Sequence, residues 1–447
     1  MQATTRTAQG TIDEGRLGWW QFAALALTVL LNALDGFDVM AISFAAPGIA
    51  AEWNVSPDVL GWILSMELLG MAAGSILLGN LADRLGRRPT ILGCLTVMTI
   101  GMWLAPLSSN PVQLSIWRLL TGLGIGGMLA ALNATAAELS NRRYRDLILP
   151  LMVVGYPVGG FLGGLLASKV LTGGDWRSVF YLGAGLSTAC IPLVVLLLPE
   201  TPAWLEERRP AGALDRINRI LARFRLPAMD GLPPRADVRA KVPVSELLRK
   251  PLLPRTVLLT LAYLTHVTAY YFFVKWIPKI VVDMGFDASE GARVLTVAML
   301  GGAVGGILLG VLALKTGMRW ATVGALAGSF VMLNVFGRTG GEIAALAQIA
   351  GLTAFFSNAA AVGFYALLAM AFPPRVRAAG TGFGIGFGRA GAAMGPALAG
   401  MLFAGGMGIA GVAFIISIGS ALSIVAVLLV KMPRAGSARS ARSATNG

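Results

Sequence analysis

An all-α membrane protein of twelve spanning helices, built as two six-helix pseudo-repeats, is the fold this sequence predicts. Three observations predict it. Of 447 residues, 56% are apolar and only 13% charged, with a mean hydropathy of +0.72, whereas soluble domains sit near 45–50% apolar and about 25% charged. The apolar residues fall into runs of spanning length, and twelve spans need about 240 such positions. Finally, the second half of the chain repeats features of the first.

The runs lie at 20–48, 59–82, 89–108, 112–139, 147–171 and 177–199, then at 254–282, 291–314, 320–337, 342–371, 378–404 and 408–431. They divide the chain into a tail (1–18), a first bundle (19–205), a linker (206–253), a second bundle (254–431) and a basic tail (432–447). Within the linker, Leu214, Ile217, Ile220, Leu221 and Phe224 recur at helical spacing; a short amphipathic helix on the membrane face fits that pattern. The polar stretch Met1–Arg16 lacks a short apolar core with a small-residue cleavage site, so no signal peptide is expected.

The net charge of +14 reads as topology rather than as a nucleic-acid surface. Arg84, Arg87, Arg88, Arg142, Arg143, Arg145, the linker arginines, Lys315, Arg319, Arg375, Arg377 and the tail all fall on one side, while 51–58, 108–111 and 405–408 carry no Lys or Arg. Under the positive-inside rule both termini are cytoplasmic. Cys94 and Cys190 sit inside apolar runs and His266 is the single histidine; neither a disulfide framework, a metal site nor a cofactor is expected.

The repeat is visible without gaps. Gly70-Met-Ala-Ala-Gly-Ser-Ile-Leu-Leu-Gly79 matches Gly301-Gly-Ala-Val-Gly-Gly-Ile-Leu-Leu-Gly310, an offset of 231 (310 against 79) that also pairs Gly86 with Gly317, Arg88 with Arg319 and Pro47 with Pro278. Parallel repeats of six spans are a ground plan of secondary transporters, with the cargo site near the midplane between halves. The same offset pairs Asp35 with His266, so an acid and an imidazole are expected at matching depths on facing walls.

The loop Gly79-Asn-Leu-Ala-Asp-Arg-Leu-Gly-Arg-Arg88 resembles the signature between spans two and three of the major facilitator superfamily. The resemblance implies a cytoplasmic lock made by Asp83, Arg84, Arg87 and Arg88, with Gly79 allowing close helix approach. In the second copy the acid is replaced by Leu314, so the lock is expected to be asymmetric. Arg118-Leu-Leu-Thr-Gly-Leu-Gly-Ile-Gly-Gly127 and Pro199-Glu-Thr-Pro-Ala-Trp-Leu205 are similar to further signatures of that superfamily. Asp35-Gly-Phe-Asp38 resembles the Asp-Gly-x-Asp hallmark of its aromatic acid:H⁺ symporter family.

Asp35 and Asp38 stand at i, i+3 on one helical face, with Asn32 a turn earlier. A carboxylate at the bilayer midplane costs about 2.5–3.5 kcal/mol on insertion scales, and two on one face suit proton uptake. The resemblance adds Glu138 to a proton-coupling set, Arg118 and Arg389 to cargo binding and Arg377 to a cytoplasmic gate. Arg389, mid-span, presents a planar fork that matches a carboxylate and cannot be neutralised. Tyr263, His266, Tyr270 and Phe273 form an aromatic stripe on span seven, suited to stacking a benzene ring. Asn358 and Tyr365, i and i+7 on span ten, are weaker ligand candidates. Alternating glycines in 380–388 lie inside an apolar span and read as helix flexibility, not as dinucleotide binding.

No nucleophile with a base, metal cluster or phosphate loop is present in the pattern, so an enzyme is not expected. The resemblance implies proton-coupled uptake of a small aromatic carboxylate by a monomer in the bacterial inner membrane, partnered by the acid anion, protons and lipid, with no nucleic acid. Benzoate, hydroxybenzoates, gentisate, protocatechuate, phenylpropionates and ring-opened muconate all fit. Two alternatives stay open. One is an exporter working by antiport, since Gly155-Tyr-Pro-Val-Gly-Gly160 faintly resembles an antiporter motif. The other is a sensor that binds an aromatic acid without moving it.

Overall fold

The structure, a computed structural model, describes residues 7–234, 244–373 and 375–430. All regular structure among them is helical. Short α1 (Ala8–Glu14) precedes α2 (Trp19–Trp53), α3 (Pro57–Leu77), α4 (Gly79–Leu85), α5 (Arg87–Leu104), α6 (Pro111–Leu139), α7 (Arg142–Val170) and α8 (Arg177–Leu197). The linker holds α9 (Pro202–Arg208) and α10 (Ala213–Arg223). There follow α11 (Leu253–Asp283), α12 (Ala288–Thr316), α13 (Met318–Phe336), α14 (Ile343–Ala371), α15 (Arg377–Ala404) and α16 (Ile409–Leu429). Twelve of these helices run 18 residues or more, as twelve spans require. Among the described residues, eleven hold a stretch long and apolar enough to cross a membrane; the twelfth, α15, has 28 residues and carries Arg377 and Arg389.

Helix ends follow from local chemistry. Pro57 and Pro111 stand in first turns, where the missing N–H costs nothing. Asn110 and Asn141 accept from Gln113 N at 2.9 Å and Tyr144 N at 3.0 Å, capping α6 and α7. Prolines stand within α2, α7, α8, α11 and α15, as spanning helices tolerate.

By packing, the chain divides into two units. One comprises the described residues of Met1–Val238 with Val274–Leu300; the other those of Arg239–Phe273 with Gly301–Gly447. In the first, α3 and α6 lie backbone to backbone. A Cβ on Gly70 or Gly74 would strike the carbonyls of Leu119 or Leu123, and one on Gly122 or Gly126 those of Glu67 or Met71. Gly36 and Gly159 do the same for α2 and α7. Without a hydrophobic drive between helices in lipid, such close approach is what holds them. Gly79, expected to serve that purpose, does not: a Cβ there meets only Ala130 Cβ at 3.9 Å. In the second unit Gly380, Gly384 and Gly388 seat Phe372, Leu368 and Tyr263, while Gly382 and Gly386 face open space. Alternate members of the glycine run are therefore packing positions.

The linker helix also departs from expectation. Ile217 and Leu221 of α10 are buried against Ala8 and Ile12 of α1 and Trp204 and Leu205 of α9, with Leu214 and Ile220 flanking. Its apolar face is covered by protein rather than by lipid. Ala8 N donates to Glu206 at 2.6 Å, and Arg145 on α7 pairs with Asp13, so α1 is tied down at both ends.

Candidate functional site

Three groups of predicted residues can be followed in the structure. The first lies inside the first unit. Asp35 and Asp38 on α2 are both buried, as is Asn32, whose side chain donates to Met152 O. Arg118 on α6, fully buried, donates from Nη2 to the backbone carbonyl of Asp38 at 2.8 Å, meets Met102 Sδ at 3.0 Å and lies 5.3 Å from the ring centre of Phe180. Ser187 on α8 donates to Asp38 Oδ2 at 3.4 Å, a weak bond, and Oδ1 of that aspartate has no hydrogen-bond partner among the described residues. Arg118, expected among the cargo-binding residues, is brought to the Asp38 main chain, and its guanidinium also pairs with a second acid.

That charge meets Glu67 of α3, an ion pair the sequence reading missed. The other carboxylate oxygen of Glu67 lies 3.5 Å from Nζ of Lys275 on α11, which also donates to Val39 O. All four partners are buried. A signal was available: Glu67 is the one ionisable residue in the apolar run 59–82, and an ionisable residue inside a span marks function by default. Lys275 was masked by standing nearer the end of its run.

The second group belongs to the second unit. His266 spends both ring nitrogens inside the protein: Nε2 lies 2.9 Å from the Ser357 carbonyl and Nδ1 3.0 Å from Ser420 Oγ. The carbonyl can only accept, so Nε2 carries a proton. The aromatic stripe is divided. Phe273 packs edge-on against Phe336 at 5.1 Å, Tyr270 against Tyr271 at 5.3 Å, and His266 over Phe364 at 5.9 Å. Tyr263 keeps a different partner, its hydroxyl 3.2 Å from that of Tyr365. Gly388 leaves room for the Tyr263 ring, and the adjacent Arg389 acts electrostatically on it. Arg389 is half-buried and Tyr365 exposed, so a guanidinium and a phenol pair stand in one region of the second unit. Asn358 donates to Gly302 O at 2.7 Å, tying α14 to α12. Asp35 and His266, paired by the repeat, belong to different units.

The third group is the 79–88 loop. Arg87 donates from Nη1 to Asp83 at 2.7 Å and from Nη2 to Glu138 at 2.9 Å. Glu138, which the resemblance adds to the proton-coupling set, meets Arg87 here, near the end of α6 where Arg87 opens α5. Glu200 accepts the backbone N–H groups of Arg87 and Thr201, both at 2.9 Å. Burial raises its carboxyl above the usual range, and those N–H groups oppose the shift. Gly86, at φ +112°, must be glycine, and a Cβ on it would strike Glu200. Trp204 Nε1 and Arg208 Nε donate to Asp83 O at 3.1 and 2.8 Å, and Arg88 to Val195 O at 2.6 Å. Arg84 and Arg377 are exposed. The residues Glu200, Trp204 and Arg208 join the network though the sequence reading did not place them there.

Comparison with known proteins adds to this geometry. A family model described as Major Facilitator Superfamily matches residues 28–341. The chain is 28% identical over 408 residues to a benzoate transport protein of Acinetobacter baylyi, covering 88% of this chain and 85% of that one. It is 29% identical over 398 residues to a 3-(3-hydroxy-phenyl)propionate transporter of Escherichia coli, covering 87% and 88%. Among solved structures, the inward-open xylose transporter XylE from E. coli superposes with a TM-score of 0.68 at 15% identity, over 95% of this chain and 99% of that one.

Proposed function

This chain belongs to the Major Facilitator Superfamily and is a multi-pass membrane transporter, not an enzyme; on that premise we propose that it carries a small aromatic carboxylate, with a proton, into the cell across the bacterial inner membrane. The carrying observation is the buried pair Asp35 and Asp38, with Arg118 donating to the carbonyl of the second. Two acids sealed in a span are costly and mark function by default, and proton acceptance is the function that suits such a pair.

The electrical argument sets the coupling. An anion entering a negative-inside cell is opposed by about 2.3 kcal/mol per 100 mV, and one proton moved with it cancels that penalty. Asp35 takes up the proton from outside, with Asp38 beside it. Arg389 receives the cargo carboxylate bidentately, and the hydroxyls of Tyr263 and Tyr365 meet ring substituents. Release of the proton to the cytoplasm resets the carrier. The Asp83–Arg87–Glu138 network serves as the cytoplasmic lock, with Arg377 near that face, and the positive-inside pattern puts both termini there. The relatives' names support the cargo class, since both printed substrates are aromatic carboxylates.

The test is uptake of a panel of labelled aromatic acids into cells expressing the protein, with and without a protonophore. Protonophore-sensitive accumulation of one acid is the expected result. Acid-driven loading of everted vesicles, without uptake into cells, would replace import by export.

A further inference from the structure

The linker helix α10 carries a cationic edge that the transport reading leaves unused. Arg216, Arg219 and Arg223, at i, i+3 and i+7, are exposed along it, while its apolar face is covered by α1 and α9. At its C-terminal end α10 abuts the start of α2. A Cβ on Gly18 would strike Phe224 O, and the Arg223 guanidinium lies 4.0 Å from the ring centre of Trp20. Arg223 Nη2 also donates to Leu196 O at 3.0 Å, and Arg88 Nη2 donates to Val195 O at 2.6 Å. Val195 and Leu196 stand in the last turn of α8, where carbonyls lack partners within the helix. Two guanidinium groups, one from the start of α5 and one from the linker, are thus fixed on adjoining carbonyls of one helix end.

Each of these bonds uses one of the five N–H donors of an arginine, and among the described residues no carboxylate pairs with either guanidinium. Glu200, the acid nearest in sequence to that helix end, accepts the backbone N–H groups of Arg87, Arg88 and Thr201 instead. The surroundings are apolar: Trp20, Val195 and Leu196 are exposed on helices long enough to span, and a tryptophan at the end of a span sits at headgroup depth. A free phosphate would meet the two charges and leave the apolar side chains bare. A lipid meets both. We infer that Arg88 and Arg223 form a headgroup site for an anionic phospholipid. Its phosphodiester receives both guanidinium groups in charge-assisted hydrogen bonds, and its acyl chains lie along Trp20, Val195 and Leu196. A net negative headgroup is required, because a zwitterionic one brings its own cation. Arg219, one turn back on α10, adds to the attraction. The bound lipid would join the ends of α2, α5 and α8 to the linker helix.

The experiment is native mass spectrometry of the purified full-length chain in detergent, titrated with dioleoylphosphatidylglycerol or dioleoylphosphatidylcholine. The two lipids share acyl chains and differ in net charge. Wild type is expected to bind its first phosphatidylglycerol about tenfold or more tightly than its first phosphatidylcholine; no preference would overturn the inference. The double variant Arg88→Gln with Arg223→Gln should lose the preference, and Arg88→Lys with Arg223→Lys should keep most of it. A glutamine variant that folds and still prefers phosphatidylglycerol would overturn the site. Arg142→Gln with Arg143→Gln removes two exposed charges from the start of α7 and should leave the preference intact. An equal loss there would show a diffuse surface attraction in place of a site. Both Arg88 and Arg223 also hold the end of α8, so if the glutamine variant does not fold, the wild-type comparison and the α7 variant decide. Soluble glycerol phosphate should fail to displace the lipid; displacement would assign the arginines to a free phosphate and overturn the lipid reading.

Discussion

Arg118 Nη2 lies 2.8 Å from the backbone carbonyl of Asp38, although 80 residues separate them. The bond pins α6 to α2 at the depth of the acid pair while leaving the Asp38 carboxyl with one weak donor, Ser187. The guanidinium thus holds the acid in place through the main chain while its own ion pair is made with Glu67.

Asp35→Asn is isosteric and removes one ionisable proton site. Protonophore-sensitive accumulation should fall about tenfold or more, because coupling passes through an intramembrane carboxyl, while counterflow of labelled acid into preloaded proteoliposomes persists. Full accumulation by the variant would sink the coupling role of Asp35.

Arg389→Gln should raise the half-saturating concentration of the transported acid about tenfold, the worth of a charged hydrogen bond. Arg389→Lys should recover only part of this, since an ammonium cannot make the bidentate fork. Uptake kinetics at fixed protein level measures both, and a wild-type value for Arg389→Gln would move the cargo site elsewhere.

Glu200 supplies a pH prediction. Burial raises its folded-state pKa, so the ionised form is disfavoured in the fold. The resulting destabilisation is absent below the unfolded carboxyl value, grows as pH rises towards the folded value and is complete above it. Glu200→Gln keeps an oxygen for the N–H groups of Arg87 and Thr201. Its Tm should therefore match wild type at pH 4 and exceed it by about 1–3 °C at pH 7, the effect of a fraction of a kcal/mol. A variant less stable than wild type at pH 7 would show that the N–H groups outweigh burial.

Two glycines separate the packing roles. Gly122→Ala drives a Cβ into Glu67 O and Met71 N and should cost about 1–3 kcal/mol or more, seen as loss of monodisperse protein in size-exclusion chromatography. Gly79→Ala meets only Ala130 Cβ at 3.9 Å and should leave the protein folded. Equal behaviour of the two variants would contradict the α3–α6 packing.

Arg87 ties Asp83 and Glu138 together and gives its backbone N–H to Glu200. Arg87→Ala should lower the initial rate of uptake about tenfold, since it leaves Glu138 half-buried without its cation. Undiminished uptake at equal expression would remove this residue from the lock.

How much of this was legible in the residues varies by feature. The helical fold and the span count follow from run length and loop charge; of the 79–88 network, motif spacing gives Asp83 and Arg87 but not their partners Glu138 and Glu200. Asp35 and Asp38 are legible because i, i+3 spacing puts them on one face whatever else surrounds them. Glu67 and Lys275, 208 residues apart, are not, since each reads alone as an isolated charge in an apolar run. The sequence leaves the partner of Glu138 unread, and only the packing of α6 with α5 brings it to Arg87. The linker helix is amphipathic by spacing, but spacing cannot say whether lipid or α1 covers its apolar face. Hydropathy and periodicity are properties of a residue and its near neighbours, so the sequence by itself determined which segments are long and apolar enough to span. Ion pairs and backbone contacts depend on which helices lie together, and that was decided only by tertiary packing, through the glycines that let α3 meet α6 and α2 meet α7.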